Sequence, residues 1–295
     1  MRQLAFLLPL MAALALPAAG HTADAKAPDE LIEIDGKKPI MIKPDRAYLL
    51  LRVKGKWFAP VFMRVPTEAE VADYQAAKKV AFDKALPNLK KSRDAAVAKQ
   101  AAAKGKRSDD EVPPEPSLTN FDYHHPDVQN LQSINLGKAL EKGKDDRLML
   151  IEAVPGRYVL YGAGNENAMM ACLCLGSVGF DAKAGEITDL GAVHVGIAWQ
   201  PSEDPVLAGE SDLGASVNGH WVLPAMGLVP AAAPTAPAAL AGKPIVAANF
   251  RAVGKFVAPP VFNINRLAPV AGVLAYDARG AVIDVKSGEA VAANY

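Results

Sequence analysis

The chain has 295 residues, 32 basic and 32 acidic side chains, two cysteines and few aromatic residues. Balanced charge argues against the broad basic field that nucleic acid and anionic lipid attract. So few cysteines rule out a disulfide framework, which leaves packing to hold the fold. The length suits one large domain or two modest ones.

The opening stretch MRQLAFLLPLMAALALPAAG reads as an export signal spanning residues 1–25. Arg2 supplies the positive start, Leu4 to Leu16 an apolar core, and Ala18, Ala19, Gly20, Ala23 and Ala25 the small residues of a cleavage region. That core is shorter than the ~20 apolar residues a bilayer span needs. No cysteine lies near it to take a lipid, and no later apolar run is long enough for a transmembrane segment. The expectation is a protein of the periplasm, or secreted, from a Gram-negative cell. Removing residues 1–25 takes away Arg2 and Asp24, so 31 charges of each sign remain.

Residues 26–44 form a polar, proline-containing leader. RAYLLLRVKGKWFAPVFMRV follows, two alternating apolar runs around Lys54-Gly55-Lys56, which predicts a hairpin. Ala47, Leu49, Leu51 and Val53 share one predicted face; Tyr48, Leu50 and Arg52 share the other. Pro60 cannot donate to a ladder, so the second run belongs at an edge or carries a bulge.

At Thr67-Glu68-Ala69-Glu70 a capping box opens a helical insertion, 67–112, rich in Ala, Lys and Glu. Pro87 is expected to kink or split it. Between Glu68 and Arg107 ten basic residues stand against five acidic ones. SDDEVPPEPS then ends the insertion as a linker.

Strands resume at DRLMLIEAVPGRYVLYGAG, where Val154-Pro155-Gly156-Arg157 predicts a type II turn suited to a sandwich corner. Further runs at 170–181 and 186–199, joined by AKAG, continue the pacing of an antiparallel sandwich or barrel. The reading is therefore mainly β with a helical insertion (α+β), an antiparallel β-sandwich over 26–200. Residues 201–295 are loop-rich, include the Ala/Pro tract VPAAAPTAPAALAGKP, and end in a hairpin around Asp277-Ala278-Arg279-Gly280. That hairpin either completes the sheet or forms a small separate unit.

Ala47–Val53, the turn Pro155-Gly156-Arg157-Tyr158, and the ending Phe180, Gly185, Leu190, Gly191 together carry a resemblance. The block resembles uncharacterised exported bacterial proteins and lipoproteins with an immunoglobulin-like or prealbumin-like β-sandwich domain. The resemblance covers at most residues 44–195, with 67–116 interrupting it. These are turn and core signatures, so the resemblance implies a fold and no functional residue. The chain departs from the pattern in lacking a lipid-attachment cysteine and in everything after residue 195.

Catalytic motifs are absent: no G-x-S-x-G elbow, no S-x-x-K, no H-E-x-x-H and no Asp-rich calcium loop. GKALEKGKD lacks the Ser or Thr of a phosphate loop, and GAGNEN lacks the third glycine of a dinucleotide fingerprint. The acids Asp109, Asp110, Asp145, Asp146, Glu203, Asp204 and Asp212 fall in predicted turns and linkers, where spacing alone does not pair them across a cleft.

Cys172 and Cys174 are the remaining question. On a regular strand they share a face with Gly176, Val178 and Phe180, as two buried core residues would. An internal disulfide is the second reading, close to the ~6.8 Å limit of bridgeable Cα separation and in need of a local bulge. The third is soft-metal binding: Met169, Met170, Cys172 and Cys174 suit copper(I), with His124, His125 and His194 as added imidazoles. The sequence favours a non-catalytic cell-envelope binding or interaction protein, its partner an envelope protein or a small ligand and not nucleic acid. A periplasmic copper-binding or thiol-redox protein is the alternative, and an envelope hydrolase the second alternative.

Overall fold

The structure, a computed structural model, describes residues 31–55, 58–102, 112–123, 131–165, 170–197, 203–208, 224–233, 236–254 and 267–292, with backbone alone at 165, 170–177, 197 and 224. The protein is mainly β with one long helix.

One sheet is built from β1 (Ile32–Glu33), β2 (Ala47–Lys54), β5 (Glu141–Lys142), β6 (Asp146–Ala153), β9 (Ile187–Ile197), β10 (Pro224–Val229) and β11 (Ile245–Ala247). Its order is β1-β6-β2-β9-β10, with β5 on β6 and β11 on β9. The other sheet runs β12-β8-β7-β3-β4, from β3 (Ala59–Arg64), β4 (Leu131–Ser133), β7 (Gly156–Asn165), β8 (Met170–Ala182) and β12 (Arg251–Val253).

The alternation of β2 is realised as predicted. Ala47, Leu49, Leu51 and Val53 enter an apolar core shared with Phe62, Leu160, Val178 and Phe180 of the other sheet. Tyr48 and Leu50 instead form a smaller cluster on the outer face with Leu148, Leu150, Ile187 and Leu240. The C-terminal hairpin, β13 (Leu274–Tyr276) with β14 (Val282–Asp284), is a separate two-stranded sheet, but Leu274 and Val282 pack into the main core.

Two expectations need correction. Residues 47–65 do not form a hairpin: β2 and β3 lie in different sheets, and the chain leaves β2 at Gly55 to cross between them. Gly55 makes this exit, with φ at 119° and its N–H donated to the Asp145 carbonyl at 2.9 Å. Nor is the pairing wholly antiparallel, since β2 and β11 both run parallel to β9. Because β8 crosses to β9 between sheets through the turn at Lys183–Gly185, β9 enters beside β2 in the same direction. Val154-Pro155 marks a similar crossing, from β6 to β7. Pro60 stands opposite Ala163, and the register shift at Val61/Phe62 puts its extra residue, Tyr161, on β7 and not on the strand that carries the proline.

Helix α1 (Glu68–Ala102) is a single 35-residue element with Pro87 inside it, not two helices. Pro87 and Asp83, whose carbonyl would have bonded residue 87, are both exposed, so the unmet acceptor is open to solvent and is not a buried orphan.

Candidate functional site

The arrangement with the most chemistry lies on the outer face of the first sheet, where β2 and β9 end. Between Leu50↔Asp189 and Arg52↔Ala192, two residues of β9 oppose one of β2. Gly191, at φ 80°, takes the left-handed conformation that this bulge demands. The bulge resets the alternation: Leu190, Val193 and Val195 point into the core, while His194 lies between them on the opposite face.

There His194 is buried, and its Nδ1 meets Asp204 Oδ2 at 2.5 Å. Asp204 Oδ1 accepts the Val206 amide at 3.0 Å. Burial pushes the Asp204 carboxyl up, but the His194 hydrogen bond, the Val206 amide and the charges of His194 and Lys54 outweigh it and hold it below the usual carboxylate range. His194 Nε2 is buried and finds no hydrogen-bond partner among the described residues.

Two glycines make room for the segment that carries Asp204. A Cβ at Gly227, opposite His194 on β10, would strike Val206, and one at Gly196 would press on Leu207. Residues 203–208 therefore lie down over the end of β9 and β10, with Leu207 buried against Ala225.

Beside this dyad opens a cavity of about 540 Å³, lined by Lys54, Lys144, Asp145, Asp146 and Asp204 with Leu207 as apolar wall. Asp146 is held by Arg52 at 3.0 Å, and Arg52 also holds Glu141 at 2.9 Å. A larger cavity of about 590 Å³ lies further along the same face, walled by Leu50, Leu148, Ala231–Ala233 and Pro237. Its charged groups are already engaged: Arg52 and Glu141 with each other, Asp189 with the Gly191 amide.

The base of α1 is the second distinctive feature. Thr67 Oγ1 accepts the Glu70 amide at 3.2 Å while Glu70 Oε2 accepts the Thr67 amide at 2.7 Å, a complete capping box. Glu70 also receives both terminal nitrogens of Arg64, at 3.1 and 2.6 Å, where Arg64 is nearly buried at the end of β3. The Arg64 bonds, helped by Thr67 and opposed by partial burial, hold the Glu70 carboxyl at about 2. A depressed carboxyl stabilises the fold above its unfolded value, ~4.3, and that contribution fades as pH falls toward 2. Glu70→Gln is thus expected to cost stability at pH 7 and progressively less toward pH 3; thermal unfolding of both proteins across that range checks it, and a constant difference contradicts it.

Farther out, α1 buries only Phe82, which meets Phe121 edge-on at 5.4 Å; Tyr74 packs on Tyr123 at 5.6 Å and donates to its carbonyl.

Among the residues singled out in the sequence, the structure brings Asp145, Asp146 and Asp204 to one cavity and pairs His194 with Asp204. Met169, His124 and His125 lie outside the described residues, as do the side chains of Met170, Cys172 and Cys174. In the backbone, Met170 stands opposite Asn165 and Cys172 opposite Ala163. Between Leu173↔Gly162 and Val178↔Leu160 four residues of β8, beginning with Cys174, oppose one of β7. The regular two-residue alternation expected from Cys172 to Phe180 is therefore interrupted. Among the described residues no three His, Cys, Asp or Glu gather as a metal site.

Of the motif positions behind the family resemblance, four have turn or core duties that the structure shows directly. Tyr158 donates to the Val154 carbonyl at 2.7 Å, Gly185 donates to the Arg46 carbonyl at 2.7 Å, and Phe180 and Leu190 are buried. No protein-family model, curated protein or solved structure matches the chain.

Proposed function

We propose that this chain is a non-catalytic binding protein of the bacterial cell envelope, a β-sandwich exported by its apolar N-terminal segment, which meets a partner protein through α1. The observation that supports this is the helix itself. Thirty-five residues span about 52 Å at 1.5 Å per residue, and only Phe82 is buried. A helix that is polar along its length gains little from its own body, and bridging to something else is one reason to keep it. Its second half offers Lys90, Lys91, Arg93 and Lys99 against Asp94 alone.

Excising residues 67–112 tests the division of labour. The variant is expected to keep the β-type circular dichroism of the parent and a cooperative transition, lowered by a few degrees because Arg64 loses its carboxylate. Loss of folding would make α1 part of the core and overturn the reading.

The register break at Cys174 favours a second reading, a thiol pair that bridges or binds copper with Met169 and Met170, since it supplies the local irregularity that a Cys172–Cys174 bridge requires. Intact mass of the mature protein from the periplasm separates these readings. A copper-sized adduct lost in Cys172→Ser supports the metal, and a two-dalton deficit supports the bridge. A bare mass with two thiols leaves the binding reading alone. The same spectrum reports whether residues 1–25 have been removed.

A further inference from the structure

Helix α1 leaves the second sheet through Val65-Pro66-Thr67, and its direction is set there. Val65 donates its N–H to the Arg157 carbonyl at 2.9 Å, so the chain is still tied to β7. Pro66 fixes its own φ and keeps Val65 extended. Arg64, the last residue of β3, lies with its stem over Gly156, where a Cβ would meet Arg64 Cγ and Cδ at 3.9 Å. From that seat its two terminal nitrogens donate to separate oxygens of Glu70, Nη1 to Oε2 at 3.1 Å and Nη2 to Oε1 at 2.6 Å. A fork of two bonds fixes the plane and direction of a carboxylate, which a single point charge does not. Glu70 stands in the first turn of α1, locked to Thr67 by the capping box, so the carboxylate carries the helix axis with it. Farther along, no strand packs along α1 among the described elements. Tyr74 and Phe82 hold Tyr123 and Phe121, which ties the returning segment to the helix itself.

From this geometry we infer that Arg64 and Glu70 are positioning residues: they aim α1 as a rigid lever, so that its outer residues meet the partner at one place and one angle. The consequence for binding rests on the reading of α1 as the contact element; the aiming itself does not. From Glu70 to Ala98 the helix runs about 42 Å at 1.5 Å per residue, so about 10° of play at the base carries the far end about 7 Å. That is more than twice the length of a hydrogen bond, and a swivelling arm pays again in lost freedom each time it binds. The Arg64 bonds are the chief reason the Glu70 carboxyl stands at about 2, so the pair stays charged through the neutral range.

Double electron–electron resonance on the mature protein alone tests this, with spin-labelled amino acids incorporated at Ala98 on α1 and at Lys183 on the body, both exposed. A single narrow distance distribution is expected in the parent. Arg64→Met keeps the stem over Gly156 and the capping box but removes the fork. Its distribution is expected to be at least twice as wide, with far-UV circular dichroism unchanged. Arg64→Lys, with a point charge and no fork, is expected between the two. Glu70→Gln leaves Arg64 in place and is expected to broaden the distribution as well, which keeps the test open if Arg64→Met does not fold. A parent distribution as broad as those of the variants overturns the inference. So do Arg64→Met or Glu70→Gln distributions as narrow as the parent's. No partner enters this measurement, so a failure here is distinct from a failure of α1 to cross-link in cells, which sinks the contact reading and leaves the lever standing.

Discussion

Truncating Phe180 to alanine is expected to destabilise the protein by about 3–5 kcal/mol, the range for emptying a large aromatic site in a packed core. The Phe180 ring is fully buried, stacks on Tyr158 at 5.9 Å, and meets Phe62 and Phe250 edge-on at 6.4 and 5.7 Å. It thereby joins β8 to β7 and β3 and to the residue just before β12. Its loss removes apolar burial and three ring contacts together, and Tyr158, whose hydroxyl ties the β6–β7 corner, loses its stacking partner. Urea unfolding followed by tryptophan fluorescence and by circular dichroism measures the change. A loss below about 1 kcal/mol would mean that the surrounding strands collapse onto the gap, and the aromatic cluster would not be the hub of the core.

Gly191→Ala is the second large effect, at roughly 2–4 kcal/mol from two additive costs. With φ at 80°, Gly191 is in the region where a Cβ is strained, and a Cβ there would also collide with the Val229 carbonyl and the Ala231 amide. Both obstacles are backbone of the neighbouring segment, so no side chain can swing aside. To relieve the strain β9 has to lose its bulge or part from β10. Losing the bulge would turn the alternation over beyond that point and drive His194 toward the core in place of Val193 and Val195. The expected signature beyond lowered stability is a changed environment at the imidazole, read from the His194 ring signals by NMR. An alanine variant of native stability with unchanged His194 resonances would show that the bulge does not depend on glycine.

Much of the architecture was legible locally. The faces of β2, the capping box at Thr67–Glu70, the Pro-Gly corner before Tyr158 and the terminal hairpin at Asp277–Gly280 each announce themselves through residues within a few positions of one another. What failed was pairing. Two alternating runs around Lys54-Gly55-Lys56 look alike whether the second strand folds back beside the first or crosses to the opposite sheet, because period-two patterning records only which face is buried. Parallel pairing of β2 with β9, separated by more than 130 residues, leaves no local trace.

The candidate site was hidden for the same reason. His194 between two valines reads as an ordinary strand histidine, and Asp204 as one acid of a turn. Only the Gly191 bulge and the fold-over of residues 203–208 bring them together. The usable clue was a glycine at the centre of an otherwise continuous strand, a bulge signal, followed within a few residues by a histidine out of phase with its apolar neighbours. Pro87 misled in the opposite sense: on an exposed stretch of helix the unmet acceptor is open to solvent, and the element continues.

As the proposed contact element of an envelope binding protein, α1 has to touch its partner inside the cell. Site-specific photo-crosslinking in living cells tests this most directly, with the probe placed at Val80 or Val97, both solvent-exposed on α1, and at Lys183 on the body as control. A discrete higher-mass adduct is expected from the two helix positions, absent at Lys183 and abolished when Lys84, Lys90 and Lys91 are changed to glutamate. No adduct from α1, or the same adduct from Lys183, would contradict that contact.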